Sequence, residues 1–200
     1  MIVGVAGQLR QGKDVAADHI ARELGLGRGA FAGSVKQAFC EYFGVDMEFV
    51  ERWKVIHDPP PGFKINVRKA LQFIGDGFRG IKEEVWIETF FRKSPKGVVI
   101  SDVRYRNELA AVRQRGGFNM LMFRPGFLND DPNGSESQIR RFVDRFLEDG
   151  KEGRVEAEGD FGLVDFFIVN DGTIDDLYAK IDEMVIPFLK RSGMARCASR

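Results

Sequence analysis

Met1-Ile2-Val3-Gly4-Val5-Ala6-Gly7-Gln8-Leu9-Arg10-Gln11-Gly12-Lys13-Asp14 opens the chain, and its reading decides the fold. Ile2 to Ala6 is a short apolar run, the pattern of a strand covered by helices on both faces. Gly7 to Lys13 has the G-x-x-x-x-G-K spacing of a phosphate-binding loop, the P-loop. Glycines let the backbone curl, successive N–H groups turn inward, and the helix that follows brings its positive end to the same spot. Lys13 adds a mobile point charge suited to β- and γ-phosphates. Residues 13–24 supply the helix, with Ala16, Ala17, Ile20 and Leu24 along one side.

One position departs from the usual pattern. The lysine of such loops is commonly followed by Ser or Thr, whose hydroxyl binds Mg²⁺. Here Asp14 follows, then Val15. A carboxylate can hold Mg²⁺ directly or through water, so Asp14 is a candidate metal ligand. Its charge also needs the metal or nearby arginines to offset it. Gly7, Arg10, Gln11, Gly12, Lys13, Asp14 and Val15 together form the expected nucleotide-binding stretch.

Outward from this loop the chain alternates short apolar strands with amphipathic helices, the α/β pattern. Strands are expected at 2–6, 98–100, 119–123 and 166–169, with a weaker one near Ala30-Phe31. Helices are expected at 107–115 and at 173–190, the latter opened by Thr173 as N-cap and disturbed near its end by Pro187. Two stretches interrupt the core. Residues 34–91 read as mostly helical, broken at His57-Asp58-Pro59-Pro60-Pro61-Gly62. Residues 125–162 carry one amphipathic segment at 137–147. The chain therefore reads as one domain over 1–200, with its core at 1–33, 92–124 and 163–191, an acceptor-binding insertion at about 34–91 and a lid region at about 125–162. The tail from Ser192 is expected to be loose.

Composition narrows the function classes. Over 200 residues, hydrophobic residues make up 44% and charged residues 30%, as in an ordinary globular protein. Thirty basic residues balance thirty acidic ones, so binding to a nucleic-acid polymer has no bulk electrostatic support. Cys40 and Cys197 lack metal-ligand spacing and fit free thiols in a reducing compartment. No apolar run reaches the roughly 20 residues that span a bilayer, and the first residues make a poor signal peptide. A cytoplasmic location without membrane contact is expected.

A second constellation follows the strand at 98–100. Asp102 stands at a strand end, where ligands of α/β folds bind. It is a candidate metal or water-holding group, with Arg104 two residues on. Arg124, before Pro125-Gly126, ends the next strand and would reach the same sheet edge. Phosphoryl transfer asks for alignment and charge neutralisation more than for covalent chemistry. A phosphate acceptor, with its second pKa of about 6, needs no strong general base. Both histidines, His19 and His57, read as structural. The first insertion offers Lys36, Arg68 and Arg79 for an acceptor phosphate, and Gln72, one helical turn after Arg68, for a base edge. Phe31, Phe73, Phe78 and Trp86 could stack on a base, although core packing suits most of the 18 phenylalanines better.

At these residues the sequence resembles the phage-type deoxynucleoside monophosphate kinases, a branch of the P-loop nucleoside monophosphate kinases. The resemblance is carried by Gly12-Lys13-Asp14 with Ala17-Asp18, where that family also has Asp in place of Ser or Thr. Ala32-Gly33-Ser34-Val35-Lys36-Gln37-Ala38 looks like its segment opening the acceptor domain. Residues 68–76, Arg68-Lys69-Ala70-Leu71-Gln72-Phe73-Ile74-Gly75-Asp76, with Arg79 and Trp86, are similar to its arginine–glutamine helix. Ser101-Asp102-Val103-Arg104-Tyr105-Arg106-Asn107-Glu108, Arg124-Pro125-Gly126 and Val169-Asn170-Asp171-Gly172 then occur in the family's order. Val15 departs from the family's more usual Thr, and 151–162 looks like extra material.

The resemblance implies a nucleoside-monophosphate-kinase-like, three-layer α/β/α core with a five-stranded parallel sheet and helical acceptor and lid insertions. It implies ATP and Mg²⁺ as cofactors and a deoxynucleoside monophosphate as acceptor. Lys13, Arg68, Arg79, Asp102 and Arg104 would be catalytic, Asp14 and Asp102 would position the metal, and Asn170 and Gly172 would lie near the adenine. Lys36, Arg68, Gln72, Arg79, Asp102, Arg104 and Glu136 would meet the acceptor, and Arg140 or Arg141 would serve the lid. Two other readings keep the loop. One is a kinase of a different small acceptor, of the dephospho-coenzyme A or phosphomevalonate type. The other is a nucleotide-binding switch, which would want a glutamine near Asp102 to place water; Val103-Arg104-Tyr105 follows instead. Oligomeric state is open, a homodimer included.

Overall fold

The computed structural model describes residues 1–93, 97–127, 134–150, 152–155 and 159–198, without the side chains of 134–136, 160 and 194–198. It divides into two compact units, Met1–Gly29 with Pro95–Arg200, and Ala30–Ser94.

The first unit is built on a sheet of six strands. Its elements in chain order are β1 (Ile2–Ala6), α1 (Lys13–Leu24), β2 (Gly27–Gly29), and, after the second unit, β3 (Val98–Val103), α6 (Arg106–Gln114), β4 (Phe118–Phe123), α7 (Gly134–Glu148), β5 (Gly153–Arg154), β6 (Phe166–Val169), α8 (Ile174–Met184) and α9 (Ile186–Ala198). The strand order is β2-β3-β1-β4-β6-β5. The first five strands of that order run parallel, with Val3 opposite both Val99 and Phe118, and Met120 opposite Phe166. The sixth, β5, is antiparallel to β6 at the edge. The five parallel strands expected are thus present, and a two-residue strand from the second interruption extends them. Two residues cannot show an alternating pattern, which is why the sequence conceals it.

Side-chain alternation sorts the core into layers. Val3, Val5, Met120, Met122, Phe166 and Ile168 pack with Ala16, Ala17 and Ile20 of α1, Leu177 and Ile181 of α8 and Leu189 of α9. The opposite face is covered by α6 and α7, where Phe146 stacks on Phe167 and Phe142 meets Phe161 edge-on. Phe161 belongs to the segment that looked like extra sequence; it packs as part of the core cover.

Gly4 is required for this second layer. A Cβ there would lie 2.3 Å from Asn119 Oδ1 and 3.3 Å from Val103 Cγ2. Asn119 is fully buried, and its amide donates to the Leu109 and Leu163 carbonyls, joining α6 to the turn before β6. Asp165 fastens the same end. It accepts from Asn119 N at 2.8 Å and from Arg113 at 2.5 Å. Burial nevertheless raises its carboxyl above the ordinary Asp range.

Three expectations are corrected. The weak strand near Ala30-Phe31 is displaced to Gly27–Gly29, since backbone pairing with β3 rather than side-chain type sets this edge. Phe31 is instead buried in the second unit, edge-on to Phe90 and Phe91. The single helix at 173–190 is two, α8 and α9, with the break at Val185. Pro187 lacks the N–H that a continuous helix would need there. The tail expected to be loose from Ser192 is helical to Ala198.

The second unit is α-helical: α2 (Ala32–Phe43), α3 (Met47–Trp53), α4 (Val67–Ile81) and α5 (Val85–Lys93). Phe39, Val50, Val67 and Ala70 form its centre with Phe49, Trp53, Phe63 and Ile74 around them. Asp46 caps α3 through Phe49 N, and Asn66 caps α4 through Lys69 N. The Asn66 amide also donates to the His57 carbonyl, holding the proline-rich turn to the head of α4. Trp86 Nε1 donates to the Gly75 carbonyl, joining α5 to α4. Cys40 is a free thiol whose pKa burial raises, and the Cys197 side chain lies outside the described residues. No helix among the described residues is long and apolar enough to cross a membrane.

Substituting Gly4→Ala is expected to destabilise the chain by roughly 1–3 kcal/mol, the usual cost of forcing extra volume into a packed core. Urea unfolding of the variant with a midpoint equal to the parent's would show that Asn119 can yield.

Candidate functional site

The loop leaves β1 and returns into α1 through three left-handed residues, Gly7 (φ 150°), Arg10 (φ 65°) and Gly12 (φ 91°). Gly7 is crowded: a Cβ would lie 2.8 Å from the Met122 carbonyl oxygen. Gly12 is more so, with Asn170 Nδ2 only 2.6 Å from the built Cβ. Arg10 is the only non-glycine with positive φ among the described residues, a conformation costing roughly 1 kcal/mol.

The loop is held from within. The buried Gln11 side chain accepts from Gln8 N through Oε1 at 2.9 Å. Lys13 is 7% exposed and its Nζ donates to the Gln8 carbonyl at 2.5 Å, so its charge is already drawn into the curl. The loop is held from behind by Asn170, whose backbone N donates to the Phe123 carbonyl at 2.7 Å and whose Nδ2 donates to the Gln11 carbonyl at 3.1 Å.

In front of the loop lies a cleft of about 340 Å³, within the range that holds a small ligand. Its walls are Leu9, Arg10, Gln11, Gly12, Lys13, Asp14 and Val15 from the loop and α1, Ser101, Asp102 and Arg104 from the end of β3, and Arg124 from the end of β4. Nine residues named from the sequence thus meet in one place: Arg10, Gln11, Gly12, Lys13, Asp14, Val15, Asp102, Arg104 and Arg124. Leu9 and Ser101 join them without having been singled out. The cleft sits at the carboxyl ends of parallel strands and at the head of α1, where backbone N–H groups favour an anion.

The surrounding side chains fix its charges. Glu108 is buried, and its Oε2 accepts from Arg104 N at 2.7 Å and Tyr105 N at 3.1 Å, setting the turn that carries Arg104. Arg124 lies over the Phe127 ring, 4.5 Å from its centroid. Asp14 is exposed and lies 3.4 Å from Arg28, which pairs more closely with Asp18 at 2.7 Å. Arg28 supplies the offset that Asp14 required, from an edge strand whose Gly-Arg-Gly sequence gave no hint of the role. Asp14 and Asp102 are the carboxylates lining the cleft, a set suited to Mg²⁺, which is held by one or two carboxylates and the substrate phosphates. No group of three or more His, Cys, Asp or Glu side chains arranged to hold a metal ion occurs among the described residues.

Other named residues lie elsewhere. Gly7 opens the loop against the Met122 carbonyl, Asn170 sits behind Gly12, and Gly172 sits against Asp176 in the turn before α8, with a built Cβ 2.6 Å from Oδ2. Lys180 of α8 fastens that turn, donating to Glu152, Asp171 and the Val169 carbonyl. Partial burial opposes its charge, but Asp171 and Glu152 outweigh this and raise its pKa, while its hydrogen bond holds Asp171 below the ordinary Asp range. Lys36, Arg68, Gln72 and Arg79 belong to the second unit. Arg68 and Gln72 are exposed on α4, and Arg79 pairs with Asp76 at 3.3 Å. Lys36 is paired with Glu51 at 2.6 Å, and Lys36 and Lys54 together hold the Glu51 carboxyl below its ordinary range. The side chain of Glu136 lies outside the described residues. Arg140, assigned to the lid, pairs with Asp144 along α7 at 2.5 Å.

No protein-family model matches the chain. A relative from Acanthamoeba polyphaga mimivirus, provisionally named a deoxynucleotide monophosphate kinase, is 26% identical over 200 residues, covering 90% of this chain and 94% of the relative. Shikimate kinase from Acinetobacter baumannii, solved with shikimate, shares 15% identity over 93% of each chain with a TM-score of 0.50. Shikimate kinase from Aquifex aeolicus aligns over 98% of each chain at 12% identity and a TM-score of 0.43. The resemblance read from the motifs is borne out by the viral relative, and the P-loop kinase fold by the Acinetobacter structure.

Gly12→Ala is expected to lower affinity for Mg·ADP at least tenfold, because the added carbon strikes Asn170 and the left-handed backbone resists it. Titration calorimetry showing parent-like affinity would mean that the curl does not form the nucleotide seat.

Proposed function

We propose that this P-loop kinase moves the γ-phosphate of ATP onto a deoxynucleoside 5′-monophosphate, giving the diphosphate. The observation that carries the reading is the curl of Gly7 to Lys13 at the head of α1, facing a cleft that also collects Asp102, Arg104 and Arg124. The name of the viral relative and the Arg68, Gln72 and Arg79 set of the second unit support the acceptor class.

In this mechanism the amides of the loop and the positive end of α1 bind the ATP phosphates. Lys13 exchanges its bond to the Gln8 carbonyl for β- and γ-phosphate oxygens, so a donor already inside the loop follows the charge as it moves. Bound Mg²⁺ neutralises phosphate charge, and Asp14 and Asp102 are the side chains that would hold it. Arg104 and Arg124 add fixed positive charge at the strand ends. Arg68 and Arg79 hold the acceptor phosphate, and Gln72 reads its base. The acceptor's own phosphate oxygen attacks in line, and because it is mostly ionised at neutral pH no base has to remove a proton.

Incubation with Mg·ATP and a panel of deoxynucleoside and nucleoside monophosphates should give ADP and the matching diphosphate. Product with dephospho-coenzyme A or shikimate alone would reassign the acceptor, and ATP hydrolysis without any acceptor would overturn transfer. Lys13→Ala should cut turnover at least 100-fold, about 2.7 kcal/mol of barrier; near-normal turnover in the folded variant would remove Lys13 from the mechanism. Arg68→Ala should raise the acceptor's KM several-fold more than that of ATP, and equal rises would count against α4 as the acceptor helix.

A further inference from the structure

We infer that Asn170 is a positioning residue for the phosphate loop, and that Lys180 holds in place the segment that presents it. The inference rests on the nucleotide-binding reading of the loop but goes beyond it, since it gives Asn170 a task other than meeting the adenine.

Asn170 follows the last residue of β6 and is 7% exposed. Its amide is already engaged with the Gln11 carbonyl, and the same nitrogen occupies the space that a Cβ on Gly12 would need. Gln11 is the residue whose side chain holds Gln8 N, and Gln8 supplies the carbonyl that parks Lys13. One buried amide therefore braces the back of the curl at the point where it turns into α1. A buried carbonyl left without its donor would rotate toward another partner, and the N–H groups of the curl would turn with it.

The position of Asn170 is itself over-determined. Its own N donates to the Phe123 carbonyl. One residue earlier, both polar groups of the Val169 backbone are fixed: N donates to Glu152 Oε1 at 2.9 Å, and O accepts from Lys180 Nζ at 2.8 Å. The same ammonium donates to Glu152 Oε1 and Asp171 Oδ1, each at 2.9 Å, so its three protons are directed at three acceptors around one short segment. Lys180 thus acts at two removes from the nucleotide, through Val169 and Asn170.

The test compares the full chain with Asn170→Ala, Lys180→Met and Lys180→Arg. Mg·ADP affinity is read by calorimetry, and the KM values for ATP and for the acceptor by assay. Asn170→Ala and Lys180→Met should each weaken Mg·ADP binding about tenfold, the effect of one lost buried hydrogen bond. The KM for ATP should rise in step while that of the acceptor stays within about twofold, and Lys180→Arg, which keeps a multi-donor cation, should recover most of the affinity. Parent-like Mg·ADP affinity in Asn170→Ala would overturn the assignment. A parallel rise in both KM values, or failure of both Asn170→Ala and Lys180→Met to fold, would do the same by making the role a general structural one. Absence of Mg·ADP binding by the parent chain would strike at the proposed function itself and is read separately, before any variant is compared.

Discussion

The structure depends on a small knot of buried polar contacts that keeps seven residues curled at the end of β1. The chain must leave a strand, reverse, and enter a helix within seven residues. Left-handed Arg10 adds local strain, and burying Gln8, Gln11 and Asn170 adds desolvation. Mutual hydrogen bonding offsets both, and it makes the curl a single shape instead of a family of them. Without that knot the strand ends around the cleft would still converge, but on a loop of no fixed shape.

Charge is distributed with the same economy. The chain has no net charge, yet Arg10, Lys13, Arg104 and Arg124 share one cleft with Asp14 and Asp102. Arginines at strand ends are held by their backbone or by stacking, as Glu108 does for the turn at Arg104 and Phe127 for Arg124. Such groups need little reorganisation when a charged ligand arrives, which is what stabilising a moving phosphoryl charge requires. Asp14, turned outward beside Arg28, adds a carboxylate at the head of α1 while its charge is partly balanced from β2.

Most of the cleft was legible in the sequence because its residues are tied to strand ends and to a fixed motif spacing. Gly7 to Lys13, Asp102 and Arg124 follow directly from where apolar runs stop. What was hidden has no local signature. Arg28 lies on a strand of Gly-Arg-Gly that only pairing with β3 creates, and Lys180 looks like any surface lysine of a helix until Glu152 and Asp171 are brought around it. Asn170 was singled out, but not its hold on the loop, since sequence order cannot show that the end of β6 passes behind Gly12. The break at Val185 was half visible: Pro187 signalled a disturbance, but not that a second helix would continue past it to Ala198.

The order of the strands also dictates when the sheet can form. β1 sits between β3 and β4, so neither hydrogen-bonding neighbour exists until residues 98–103 and 118–123 have been made. The intervening helical unit has a self-contained apolar centre of its own. During synthesis that unit can condense while Ile2–Ala6 waits with both edges bare. The curl of residues 7–13 is therefore among the last features to be assembled, and for that interval the nascent chain carries an unpaired apolar strand.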